Sequence, residues 1–153
     1  MRNKLALGLM VVGSLILALL LELIPLPSEL SAWRAPWLLV MVVFWVLYLP
    51  SMMGIGLAWS AGLFLDAANS TPLGTHALIF TLASALTLAT RRLLLTFSVF
   101  QQAVWVAVLS LMQYGILSLL LPSAGLFGVV NTTITAALLW VLLHLVLYRR
   151  LQL

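Results

Sequence analysis

Very few residues in this 153-residue chain can do chemistry: Glu22, Glu29, Asp66, His76 and His144 are the whole set of carboxylates and imidazoles. General acid–base catalysis needs a tuned and positioned pair. The two histidines lie far apart in sequence, and no acid is close to His144. Cysteine is absent, so thiolate nucleophiles, thiolate metal sites and disulfides are excluded. No glycine-rich phosphate loop and no nucleophile elbow occurs. The expectation is a protein that is not an enzyme, with no cofactor and no metal.

The most informative polar residue is Asp66. Gly54, Ala58, Gly62 and Asp66 recur every four residues and share one helical stripe. Small residues on such a stripe let a second helix approach closely, which is how helices associate in lipid. The stripe is the candidate docking face for a partner helix, with Asp66 as a buried acid fixing a partner helix or loop. The competing reading is packing within the chain, with Asp66 as a hydrated residue at a span end. Glu22, one turn before Pro25, is expected at the outer interface, and Glu29 with Arg34 as a loop pair. Gln113 is a mid-span amide, and Asn131 opens the last apolar stretch. With Asn69 and His76 they are the candidates to line a polar cavity, should one exist.

The elements that must position these groups are membrane helices. Hydrophobic residues make up 65% of the chain and charged residues 7%, against about 25% charged in a soluble domain. Proline, glycine and charge punctuate this sequence into six expected spans of one all-α membrane domain, residues 1–153: about 5–24, 37–49, 52–68, 75–90, 103–121 and 129–148. The second is short, as if its ends were extended by the flanks or met a thinned bilayer. The first is too long for the apolar core of a cleaved signal and ends at Pro25 without a small-x-small site, so it is read as retained. Residues 93–102 are read as an amphipathic stretch at the interface.

Basic residues near span ends stay in the cytoplasm. Six spans with both termini inside put Arg2, Lys4, Arg91, Arg92, Arg149 and Arg150 there and leave only Arg34 outside. Trp33, Trp37, Trp105 and Tyr148 fall near expected span ends, whereas Trp45, Trp59 and Trp140 lie deeper than an aromatic belt requires. The net charge of +4 is clustered at span ends rather than spread along a stripe, which excludes a nucleic-acid footprint.

The ordered landmarks Ile24-Pro25-Leu26-Pro27, Arg34-Ala35-Pro36-Trp37, Trp45-Val46-Leu47 with Pro50, Gly54-Ile55-Gly56, Gly62-Leu63-Phe64-Leu65-Asp66, Pro72-Leu73-Gly74 and Gln101-Gln102-Ala103 resemble the rod shape-determining MreD family of bacterial inner-membrane proteins. The likeness is strongest from Pro25 to Leu78. It implies a multi-pass, non-enzymatic subunit of the cell-elongation and peptidoglycan-synthesis machinery. The implied partners are membrane lipid, a bitopic MreC-like protein and, through the complex, MreB, RodA and a class B penicillin-binding protein. The implied fold is similar to the membrane subunits of energy-coupling-factor transporters. The family-motif candidates are Arg34, Pro36, Trp37, Pro72 and Gly74. One departure is Pro50-Ser51-Met52-Met53, which lacks the basic residues some members carry there. The leading expectation is a scaffold docking an MreC-like partner. The alternative is a substrate-binding membrane subunit of a vitamin-type transporter, with its cavity near Asn69, His76, Gln113 and Asn131.

Overall fold

The structure is a computed structural model that describes residues 2–25, 27, 33–120 and 126–148. Helices α1 (Arg2–Leu23), α2 (Trp37–Tyr48), α3 (Ile55–Asn69), α4 (Thr75–Leu94), α5 (Val99–Leu120) and α6 (Leu126–Leu143) follow in order, and a π-helical turn, His144–Tyr148, continues α6. The described residues contain no strand. Four helices, α1, α4, α5 and α6 with its π turn, are long and apolar enough to cross a membrane. Their outward faces carry exposed leucine, valine and phenylalanine, including Leu9, Leu78, Phe100, Val104 and Leu138. An apolar surface on this scale needs lipid or protein against it.

α2 has 12 residues and not one charged side chain. A helix apolar on every side is buried on every side, and Leu38 to Leu47 are all buried, with α1, α4, α5 and α6 around them. At about 1.5 Å per residue α2 is only some 18 Å long. α2 is the enclosed core of the bundle. Trp45 and Trp140, too deep for an aromatic belt, belong to this core. Trp45 donates its indole N–H to Ser14 of α1 at 2.8 Å, and Phe44 packs edge-on against both tryptophans. Trp59 is half exposed on the outer face.

Several expected boundaries change. The third element begins at Ile55, not Met52, because Met52 and Met53 close a turn on the Leu49 carbonyl and Gly54 enters the helix in an extended conformation. The fourth runs past Thr90 to Leu94. Arg91 and Arg92 occupy its last turn, where cations oppose the negative end of the helix dipole, and Arg91 Nε also donates to the Leu47 carbonyl at 2.7 Å. Residues 93–102 form no separate helix. Leu93 and Leu94 finish α4, a turn closes on their carbonyls, and Val99 opens α5. Ser98 and Gln101 exchange side-chain and backbone bonds there, a capping box. The Glu29 pairing, the Pro122 boundary and the Arg149-Arg150 pair lie outside the described residues.

Side-chain contacts fix which ends meet. Glu22 near the end of α1 reaches the start of α2, and Asp66 near the end of α3 reaches the start of α4. At the opposite end Tyr48 meets Gln102 at 3.0 Å and His144 at 3.2 Å, and Arg91 meets Leu47. The most extensive contacts join α3 to α4 and α5 to α6.

Candidate functional site

Asp66 is wholly buried and is saturated with donors. Its carboxylate accepts the Gly74 and His76 amides at 2.9 Å, the Thr71 hydroxyl at 2.9 Å and the His76 ring Nδ1 at 2.7 Å. The Ala77 amide follows at 3.4 Å. A helix start leaves its first amides without partners, and the residue preceding α4 is Gly74, which has no side chain to cap them. Asp66 supplies the cap from the neighbouring helix, and its charge faces the positive end of the α4 dipole. It is therefore not a hydrated span end.

The rest of the stripe explains how Asp66 gets there. A Cβ on Gly62 would stand 2.5 Å from the Ala77 backbone nitrogen, so only glycine permits this approach of α3 to α4. Ala58 is fully buried one turn earlier. The helix that Gly62 and Asp66 receive is the chain's own α4. Gly54, by contrast, has open space where a Cβ would be.

The family-motif candidates form two turns at this same end. Gly74 has φ +101°, a conformation L side chains rarely adopt, and the Pro72 carbonyl accepts both the amide and the hydroxyl of Thr75. In the other turn Pro36 precedes α2 and Trp37 opens it. Pro36 also lacks a capping oxygen, and again the preceding helix provides one: Glu22 Oε2 accepts the Leu38 amide at 2.8 Å. Arg34 is exposed and donates to the Ile24 carbonyl at 3.1 Å.

Between these two turns a cavity of about 290 Å³ opens, lined among others by Glu22, Arg34, Asn69, His76, Gln113 and Tyr114. Three of the four residues expected around a cavity, Asn69, His76 and Gln113, are brought together. Asn131 is not. Its neighbour Thr132 lines the wall instead, a difference of one position, or about 100° around α6. Glu22, Arg34 and Tyr114 were not foreseen as lining. Nothing local marks Glu22 as a cap for a helix on the far side of a loop. Gln113 is 7% exposed, and its side-chain oxygen has no partner among the described residues. The Tyr114 hydroxyl rests against Gly128, whose missing side chain makes room for it.

Among the described residues no group of three or more acids and histidines could hold a metal ion. His144 and His76 stand at opposite ends of the bundle, the former beside Tyr48 and the latter on Asp66.

The comparisons with known proteins agree with this frame. A curated relative, the rod shape-determining protein MreD of Haemophilus influenzae, is 34% identical over 64 residues, which is 42% of this chain and 40% of the relative. The match thus spans about two fifths of that protein's length. No solved structure matches the chain. The family model described as rod shape-determining protein MreD matches residues 1–153. A match along all 153 residues places this chain in the rod shape-determining protein MreD family, whose members are membrane proteins that determine cell shape.

Proposed function

We propose that the chain is a non-enzymatic, six-span subunit of the bacterial inner membrane, both termini cytoplasmic, that docks an MreC-like bitopic protein for the rod-shape machinery. MreB, RodA and a class B penicillin-binding protein join through that complex. The observation that carries the docking reading is the polar cavity at the Glu22–Asp66 end. Lys4, Arg91 and Arg92 lie toward the other end, so the rule that basic residues stay inside turns the cavity outward. A bitopic partner with an extracytoplasmic body leaves the membrane at that level. The small-residue stripe contributes by holding α3 to α4, which sets one wall of the cavity.

The test is site-specific photocrosslinking in the co-expressed pair. A probe replacing Leu117, which lines the cavity, captures the partner, and one replacing Ala58 beneath α4 does not. Capture from lipid-facing positions with none from Leu117 would refute the cavity as the docking site. Reporter fusions after Leu95 and after Leu153 are expected on the same, cytoplasmic side; opposite sides would overturn the orientation. A second reading, a small-molecule subunit of the vitamin-uptake type, is supported by Asn69, His76 and Gln113 lining one cavity.

A further inference from the structure

The cavity carries donors, among them Arg34, Asn69, the Tyr114 hydroxyl and the Gln113 amide nitrogen, and a set of acceptors around Glu22. Arg34 and Asn69 are exposed, and Arg34 already donates to Ile24. Deeper in, Glu22 is 8% exposed and has spent one carboxylate oxygen on the Leu38 amide. Its other oxygen has no hydrogen-bond partner among the described residues, and no ion pair joins it to Arg34. Thr132 has used its hydroxyl proton on the Gly128 carbonyl at 2.6 Å and presents only lone pairs. The His76 ring Nδ1 is engaged by Asp66 at 2.7 Å. The carbonyl of Gln113 is unpartnered, and rotation about its last side-chain bond can turn it to the cavity. Of these groups the Gln113 oxygen is the buried one without a partner among the described residues, and such an acceptor ordinarily finds one. A carboxylate with one free oxygen is the strongest acceptor in the group.

We infer that the inner part of this cavity binds a cationic hydrogen-bond donor, an ammonium or guanidinium group, received by the free oxygen of Glu22 with the Gln113 carbonyl as second acceptor. The inference rests on the docking reading only for the source of the cation, a lysine or arginine side chain of the bitopic partner. A free amine would satisfy the same chemistry.

The experiment uses the full chain in mild detergent, with n-butylguanidinium as probe and n-butylurea, neutral and of similar shape, as control. Butylguanidinium is expected to raise the melting temperature saturably by about 2 °C or more and butylurea to leave it unchanged. Glu22→Gln keeps an oxygen for the Leu38 amide but loses the charge, and Gln113→Leu leaves that cap untouched. Each should abolish the response, and E22Q should weaken capture of the co-expressed partner by about 30-fold or more, as truncating a buried charge pair does. Displacement of the partner by butylguanidinium assigns the cation to the partner. A thermal response without displacement assigns it to a free amine. Equal responses to butylguanidinium and butylurea, or an unchanged response in both variants, would overturn the inference. Partner capture from Leu117 stands or falls independently and reports on the docking reading alone.

Discussion

Replacing Gly62 by alanine should unfasten α3 from α4 and, with it, the Asp66 cap. The added Cβ would lie 2.5 Å from the Ala77 nitrogen and must retreat about 0.9 Å to reach the 3.4 Å of ordinary contact. Asp66 is one turn further along the same face, and its bonds to the Gly74 and His76 amides are 2.9 Å long. The same displacement carries them to about 3.8 Å, beyond hydrogen-bond range. Hydrogen bonds to a charged group contribute about 1.5–3 kcal/mol each, and overpacking adds strain, so a loss of about 3–5 kcal/mol is expected even if the helices partly accommodate. Gly56 is on the same helix with nothing within 4 Å of its would-be Cβ, which makes Gly56→Ala the matched control. Reversible unfolding in mixed micelles, followed by circular dichroism, reads both. A G62A protein as stable as G56A would show that the close α3–α4 contact does not set the stability of this end.

Gly74→Ala forces a side chain into φ +101° and should cost about 1–2 kcal/mol, visible as a lower melting temperature and a smaller loss than G62A. Ser14→Ala removes the acceptor of the buried Trp45 indole and should cost about 1–3 kcal/mol. Ser60→Ala, whose hydroxyl bonds only its own exposed helix, should be near neutral, and equal melting temperatures for the two would contradict the Trp45 assignment. Gly128→Ala places a Cβ 2.7 Å from the Tyr114 hydroxyl, which must swing into the cavity. Partner capture from Leu117 should fall several-fold while the melting temperature changes little; unaltered capture would separate the cavity from docking.

Much of this was legible in the residues, for reasons that also explain the failures. Pro36 and Pro50 bracket α2 correctly because proline disrupts a helix wherever it falls, independent of tertiary structure. That α2 is enclosed was written in its all-round apolar composition. Length alone suggested a thin span, since hydropathy does not distinguish lipid from neighbouring side chains. The four-residue spacing of Ala58, Gly62 and Asp66 announced a close helix contact, but spacing cannot say whether the second helix is the chain's own. The Ser98–Gln101 box was available as a local signal and separates α4 from α5 where amphipathicity suggested an interfacial stretch. Glu22 had no such signal, because its partner Leu38 lies 16 residues away.

The two acids also give the motif residues a common physical logic. In apolar surroundings an orphan amide costs several kcal/mol, because no water replaces its partner. Yet α2 and α4 are preceded by Pro36 and Gly74, neither of which can cap. Each helix start is completed instead by a carboxylate near the end of the helix before it, Glu22 for α2 and Asp66 for α4. Closing either hairpin thereby satisfies amides at its own buried helix start. Asp66 is fully consumed by this task, with five donors on two oxygens. Among the described residues Glu22 is only half consumed. The same device, built twice at one end of the molecule, leaves one Glu22 oxygen without a partner among the described residues, in a side chain that lines the cavity. That asymmetry makes Glu22, and not the more heavily bonded Asp66, the residue able to contact something outside the chain.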